Sequence, residues 1–359
     1  MDNLINCLLT LGVGGLVGVV FLLLKIPNGL RIGSLLGAAL LGIFFGTAWM
    51  PNETRFAVQI IAGALVGCTM ERSDLRRLPK IIKPTSIILG TFLALNLVAG
   101  SLIYAISPLN WATSLLCVVP GGVTEIPVIA ADMGADPPKV AIAQLARYLL
   151  GVAFLPSIIM GHDNHRQKAK TGTIAPEVIA GTKTIKREKS TVNSVQAMIC
   201  TIAVGLGAGF LGNFTAVPAG AFLFSMIGVT VLKLKFDFAY VSPRVKKIAL
   251  WISGCYIGSL ITMEDVKGFR LLVLPILIVL CGYIVNCFIT GKLMVKTCGF
   301  TLKEGMLTTV PAGVTDIALT SVDMGVGNTD IIIIQVFRAM MAATIFPQII
   351  NLLLMVLPG

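Results

Sequence analysis

The feature that most constrains this chain is that it is written twice. Residues 120–134 read PGGVTEIPVIAADMG and residues 311–325 read PAGVTDIALTSVDMG, with eight of fifteen positions identical at an offset of 191. The same offset, without a gap, pairs Gln144 with Gln335, Arg147 with Arg338, Pro156 with Pro347, Gly14 with Gly205, Gly18 with Gly209, Gly63 with Gly254, Gly67 with Gly258 and Asp74 with Asp265. One supersecondary unit therefore has to fold twice, and the copies agree best at polar residues.

Those residues sit in an apolar chain. Hydrophobic residues make up 56% and charged residues 13% of the 359, and mean hydropathy is +0.90. A soluble chain of this length carries about a quarter charged residues. Apolar runs such as 4–24, 87–106 and 271–289 are long enough to cross a bilayer. The expectation is an all-α polytopic membrane protein. The formal charge of +11 fits Lys and Arg gathered on cytoplasmic loops better than a nucleic-acid partner. The start Met1-Asp2-Asn3 has no basic stretch, so no cleavable signal is expected. The eight cysteines form no CxxC pair, and His162 and His165 both lie in the central polar stretch. No metal or cofactor is expected, and no enzyme activity.

Each half offers the same order of segments: roughly 4–24, 32–49, 56–70, 84–106, a broken segment at 111–133, and 138–160, then 196–216, 218–232, 248–262, 271–291, a broken segment at 304–325, and 329–357. The division is a first membrane repeat at 1–160, a basic cytoplasmic linker at 161–195 and a second repeat at 196–359. Residues 111–119 would make about 13 Å of helix, half of a ~30 Å hydrocarbon core. Pro120-Gly121-Gly122 then stops it. With both broken segments as re-entrant hairpins and both termini outside, 22 of the 28 basic residues fall inside; if the segments cross straight through, the split is 10 against 16. The hairpin arrangement gives five spanning helices plus one re-entrant hairpin per half. Five crossings is odd, so the repeats have inverted topology, a recurrent plan of secondary transporters. Trp49, Trp111 and Trp251 are expected near span ends.

The candidate site follows from the breaks. Thr124 would cap the second half-helix with Glu125 in its first turn, and Thr315 and Asp316 would repeat this. Non-helical backbone at membrane depth has to be buried or line a cavity. Glu125 and Asp316 can hold a cation, shuttle a proton, or cap their helices and pair with arginine. Asp136 before Pro137-Pro138 would start the next helix, placing Arg147 about 13 Å deep with Gln144 on its face; Gln335 and Arg338 repeat the pair. An arginine there needs a carboxylate, a carbonyl or water. Asp132 and Glu125, and Asp323 and Asp316, are the nearby ion-pair candidates. The arginine either locks the hairpin to the following helix or touches a substrate. Gly12, Gly14, Gly15 and Gly18 are expected to let helices approach closely.

The PGGVTE run at 120–125, Asp136 just before two prolines, and Gln144-x-x-Arg147, repeated in the second half, resemble the AbrB-type duplicated membrane-protein family. The resemblance covers nearly the whole chain; the second copy departs at Ala312, Asp316 and Asn328. Members carry labels such as AbrB regulator or, provisionally, ammonia monooxygenase. The label implies regulation of gene expression, yet the sequence shows no DNA-reading domain and no ligand set for oxygen chemistry. More distantly, the chain is similar to transporters of the bile-acid-symporter and sodium–glutamate-symporter type. The expected function is secondary transport of a small polar solute, an organic anion or amino acid, coupled to Na⁺ or H⁺, across a plasma (inner) membrane; the alternatives are a membrane-embedded regulator of gene expression and a passive channel. Expected partners are membrane lipid, the small solute and, by analogy, a second copy in a homodimer, with no nucleic acid.

Overall fold

Asn110 and Thr301 stand 191 residues apart, and each accepts a hydrogen bond from the amide three residues on, Thr113 N at 2.8 Å and Glu304 N at 3.3 Å. A side-chain oxygen at that position satisfies one of the amides a helix start leaves unpaired. Both caps open eight-residue helices, Trp111–Val118 and Leu302–Thr309, in register with the repeat. The computed structural model describes residues 2–159 and 194–356, except 25, 27, 71, 156, 157, 216, 237, 325, 327 and 329. Most of the linker expected at 161–195 lies outside the described residues; Ser194 and Val195, assigned to its end, open a helix.

All elements among the described residues are helical. The first half holds α1 (Asp2–Leu23), α2 (Gly29–Phe45), α3 (Glu53–Gly67), α4 (Arg72–Ile106), α5 (Trp111–Val118), α6 (Glu125–Asp132) and α7 (Pro137–Leu149), which runs on through a π-helical turn, Leu150–Phe154. The second holds α8 (Ser194–Asn213), α9 (Gly220–Phe236), α10 (Pro243–Ser259), the short α11 (Met263–Lys267), α12 (Phe269–Cys298), α13 (Leu302–Thr309), α14 (Val314–Asp323) and α15 (Asp330–Leu354). Asp136 accepts from Lys139 N at 3.2 Å ahead of Pro137 and Pro138, as the sequence predicts for the start of α7. Pro84 in α4 and Pro275 in α12 are also repeat partners.

The helices form two layers. A scaffold layer runs α1–α2–α10–α3–α9–α8, so the third helix of each half packs on the second helix of the other. Glycines make these contacts close. A Cβ on Gly33 would lie 2.7 Å from Val17 O, one on Gly254 2.7 Å from Arg31 O, and one on Gly67 2.7 Å from Met226 O. Small residues four apart let membrane helices approach at the backbone. Gly14, Gly15 and Gly18 are contact glycines as expected, whereas a Cβ on Gly12 would meet nothing within 4 Å. Trp251 differs from expectation. It stands mid-way along α10, over Gly15, and its indole N–H donates to Leu11 O at 3.1 Å. The reason is that α10 begins at Pro243 behind its Ser242 cap, earlier than the apolar run suggests.

The core layer holds α4, α5, α7, α12, α13 and α15, with α6 and α14 against them. Among the described residues five helices are long and apolar enough to cross a membrane: residues 3–23, 79–106, 195–213, 270–298 and 330–354. α1 is mostly exposed and α15 mostly buried, placing α1 at the outside and α15 at the centre. The rest are shorter. The 15 residues of α3 and 17 of α2 make about 23–26 Å of helix.

Candidate functional site

A helix that stops inside an apolar layer leaves carbonyls with no partner, and no water is there to supply one. α5 ends that way at Val118, before Pro120, and α13 ends at Thr309, before Pro311. Gln144 Nε2 donates to Leu116 O at 2.9 Å, Val119 O at 3.0 Å and Cys117 O at 3.5 Å. Gln335 Nε2 serves Leu307, Thr308 and Val310 at 2.9, 3.0 and 3.3 Å. Asn96 donates to Leu115 O at 2.8 Å, and its repeat partner Cys287 places Sγ 3.6 Å from Met306 O. Past each helix end the chain makes a tight i→i+2 turn centred on the proline, Gly121 N to Val119 O and Ala312 N to Val310 O, both 2.9 Å.

The two arginines finish the breaks and join them. Arg147 Nε donates to Gln144 Oε1 at 3.0 Å, Nη2 to Gly121 O at 2.5 Å, and Nη1 across the molecule to Pro311 O at 2.9 Å. Arg338 repeats this: Nε to Gln335 Oε1 at 2.8 Å, Nη2 to Ala312 O at 3.0 Å, and Nη1 to Pro120 O at 3.1 Å. The exchange is reciprocal: each arginine bonds a carbonyl of the other half's break. Both arginines are buried, at 1% and 3% exposure. Of the partners the sequence allowed them, the carbonyl is the one realised. Planar guanidinium suits this, offering N–H groups in fixed directions to several acceptors at once. Tyr283 adds an asymmetric element: its hydroxyl donates to Val118 O at 2.7 Å and Arg147 lies 5.7 Å from its ring centroid, while its repeat partner is Phe92.

Three of the four carboxylates, Glu125, Asp316 and Asp132, are used elsewhere, which corrects their expected pairing with Arg147 and Arg338. Glu125 Oε1 accepts from Arg31 Nη2 at 2.5 Å and Oε2 from the Thr124 hydroxyl at 3.3 Å. Thr124 is buried at the N-cap position of α6, but its side chain serves Glu125 instead of a helix amide. Asp316 Oδ2 accepts from Tyr148 OH at 2.9 Å, Asn28 Nδ2 at 3.2 Å and Gly313 N at 3.2 Å. Asp132 pairs with Arg55 and accepts from Gln59 Nε2 at 2.6 Å, far along α6 from the break. Thr315 and Asp323 lie on α14, their side chains outside the described set.

Where the breaks meet there is a cavity of about 100 Å³, walled by Pro120–Val123, Pro311–Val314, Arg147, Arg338 and, from one side, Asn28, Arg31 and Tyr148. One water needs ~10–15 Å³ of such space, so several waters or a small solute fit. The structure thus brings together Thr124, Glu125, Gln144, Arg147, Asp316, Gln335 and Arg338 around one centre, and leaves Asp132 outside it. Sequence reasoning missed Asn28, Arg31 and Tyr148, whose repeat partners are Ala219, Phe222 and Ala339. The available signal was this asymmetry: three polar residues in one copy opposite three apolar ones in the other. Asn28 and Ala219 both hold left-handed backbone, φ 52° and 55°, just before α2 and α9.

Apolar spanning helices, a duplicated helical core and a polar centre buried inside it define an all-helical membrane protein. The chain belongs to the family described as transition state regulatory protein AbrB, whose model matches residues 2–162 and 84–354. A Bacillus subtilis (strain 168) protein called uncharacterized protein YhjN is 24% identical over 98% of this chain and 94% of its own length. An Escherichia coli (strain K12) protein that carries the provisional name regulator AbrB is 26% identical over 63% of this chain and 60% of its own length.

Proposed function

We propose that this protein is a secondary transporter of a small polar solute, working by alternating access at the cavity where the two helix breaks meet. The observation that carries the reading is the pair of broken half-helices, each completed by an arginine of the other half, around a buried polar space. Discontinuous helices facing each other near the bilayer midplane are where secondary transporters bind substrate. The halves would be inverted repeats, as the distribution of basic residues and the reciprocal Arg147 and Arg338 bonds favour, with both termini outside and the linker in the cytoplasm of an inner-membrane protein.

In this reading the core layer moves against the scaffold layer. Among the described residues the polar contacts between layers at this level are few: Arg31–Glu125, Arg55 and Gln59 with Asp132, Asn28 with Asp316 and Tyr148, and Gln348 Nε2 to Pro218 O at 3.0 Å. Glu125 and Asp316 are the groups that would take a coupling H⁺ or Na⁺. Arg147 and Arg338, with their glutamines, keep the breaks in shape and give the cavity positive potential.

Uptake or efflux by the purified protein in liposomes tests this. Glu125→Gln is expected to abolish concentrative transport while the protein stays monodisperse. Unchanged transport would sink the assignment. A flux that never builds a gradient would make the same architecture a channel. Altered transcript levels on deletion, with no solute moved by the pure protein, would favour the regulatory role that the family description names.

A further inference from the structure

We infer that the solute is an anion, held by Arg31, and that Glu125 occupies its place in the present state; this rests on the transport reading above. Among the described residues the walls of the cavity carry three guanidinium groups, Arg31, Arg147 and Arg338; the two carboxylates of the centre stand behind them, Glu125 on Arg31 and Asp316 on Asn28, Tyr148 and Gly313, so the cations are in excess. The N-terminal ends of α6 and α14 converge on the same space, adding partial positive charge. An anion is the solute that such walls stabilise.

The three cations are not equivalent. Arg147 and Arg338 are each held by three hydrogen bonds to backbone carbonyls and a glutamine, bonds that the breaks themselves require. Among the described residues Arg31 has one side-chain partner, a single oxygen of Glu125 on Nη2, and its buried Nε has no hydrogen bond. The Nε–Nη2 edge of arginine is a fork that a carboxylate fills with two parallel bonds. Glu125 fills half of it, because its other oxygen turns back to Thr124. An incoming carboxylate that takes both positions gains a bond, and Glu125 is released. Arg31 comes from the scaffold and has Phe222 as its repeat partner, so the duplicated centre holds one such position, not two.

Other charged groups around Glu125 do not compete for this role. On α7, Arg147 is committed as described and Tyr148 is bonded to Asp316 on α14; on α15, Arg338 is committed too. On α3, Arg55 is paired with Asp132 at the far end of α6. Arg31 is therefore the specificity-determining residue, and Glu125 an internal occupant that the solute displaces.

The full chain in detergent micelles tests this by its thermal-unfolding midpoint against sodium acetate, sodium pyruvate or sodium glutamate, with sodium chloride at equal ionic strength as reference. At least one carboxylate is expected to stabilise the wild type saturably. Glu125→Gln removes the internal competitor and lowers the apparent Kd about tenfold, while still losing transport. Arg31→Gln abolishes the stabilisation; should that variant fail to fold, Arg31→Lys, which keeps the charge without the fork, weakens binding about tenfold. The inference is overturned if no carboxylate stabilises wild type or Glu125→Gln, if Arg31→Lys or Arg31→Gln responds as wild type does, or if ammonium and methylammonium stabilise where carboxylates do not. In that last case Glu125-dependent transport of a cation or neutral solute would leave the transport reading standing and end this one.

Discussion

At the scale of single residues, the chain places its costliest groups where its backbone is most deprived. A buried arginine and a buried helix end are each unfavourable alone, and here each satisfies the other. Leaving a buried carbonyl unpaired costs about 1–3 kcal/mol, so Gln144→Leu and Arg147→Met should each lower stability by about 2–5 kcal/mol. Arg338→Met should do the same, because its cross bond goes to Pro120. Resistance to a graded denaturing detergent measures this, and a wild-type midpoint for Arg147→Met would refute the structural role. This part of the site was legible in the sequence, because the Gln-x-x-Arg spacing recurs at the same distance from each Pro-Gly or Pro-Ala break. What it is bonded to was not legible: a carbonyl acceptor has no sequence signature, and carboxylates 22 and 15 residues upstream looked the natural partners. Arg31 was hidden for another reason. A basic residue at a predicted span end reads as a topology signal, and its partner Glu125 is 94 residues away.

At the scale of helices, close packing depends on backbone touching backbone. Gly258 of α10 lies over Leu35 O of α2, and Gly67 of α3 lies over Met226 O of α9, at positions related by the repeat. Gly258→Val should push α10 from α2 and destabilise by about 1–3 kcal/mol. Gly12→Val, on the open face of α1, should change stability by less than about 0.5 kcal/mol. Equal effects in the same denaturation assay would mean that the glycine contacts carry no packing role. Element positions were readable where a cap residue coincided with the start of an apolar run, as at Asn110 and Asp136; behind Thr301 the helix starts at Leu302, two residues ahead of the expected 304. They were misjudged where basic residues continue the helix past the apolar stretch, as at Arg72–Lys83 of α4 and Pro243–Lys247 of α10. Charge at a helix end is compatible with helix, and only solvent or lipid decides where the membrane stops.

At the scale of the whole molecule, neither half is complete. The scaffold order sets α10 beside α1 and α2, and α3 beside α8 and α9. Each break also takes a hydrogen bond from the other half's arginine. Residues 1–175 and 176–359 expressed separately should therefore fail to accumulate, and co-expression should restore both as one complex. Recovery of a stable, monodisperse first half alone would show that the exchange of helices is not needed for folding. The duplication itself was visible from the first reading, because side chains repeat at a constant offset; the crossing of third helices between halves was not, since no local pattern records which copy a glycine faces.

The crosswise arginines also bear on what a single chain permits. A guanidinium aimed at a twin's peptide group has no use in a lone copy. Two identical separate copies exchanging such bonds would oblige one residue to serve both roles. Written in a single chain, positions 31 and 222 are free to part company, one a cation and the other a benzyl ring, and the duplicated centre has a preferred side.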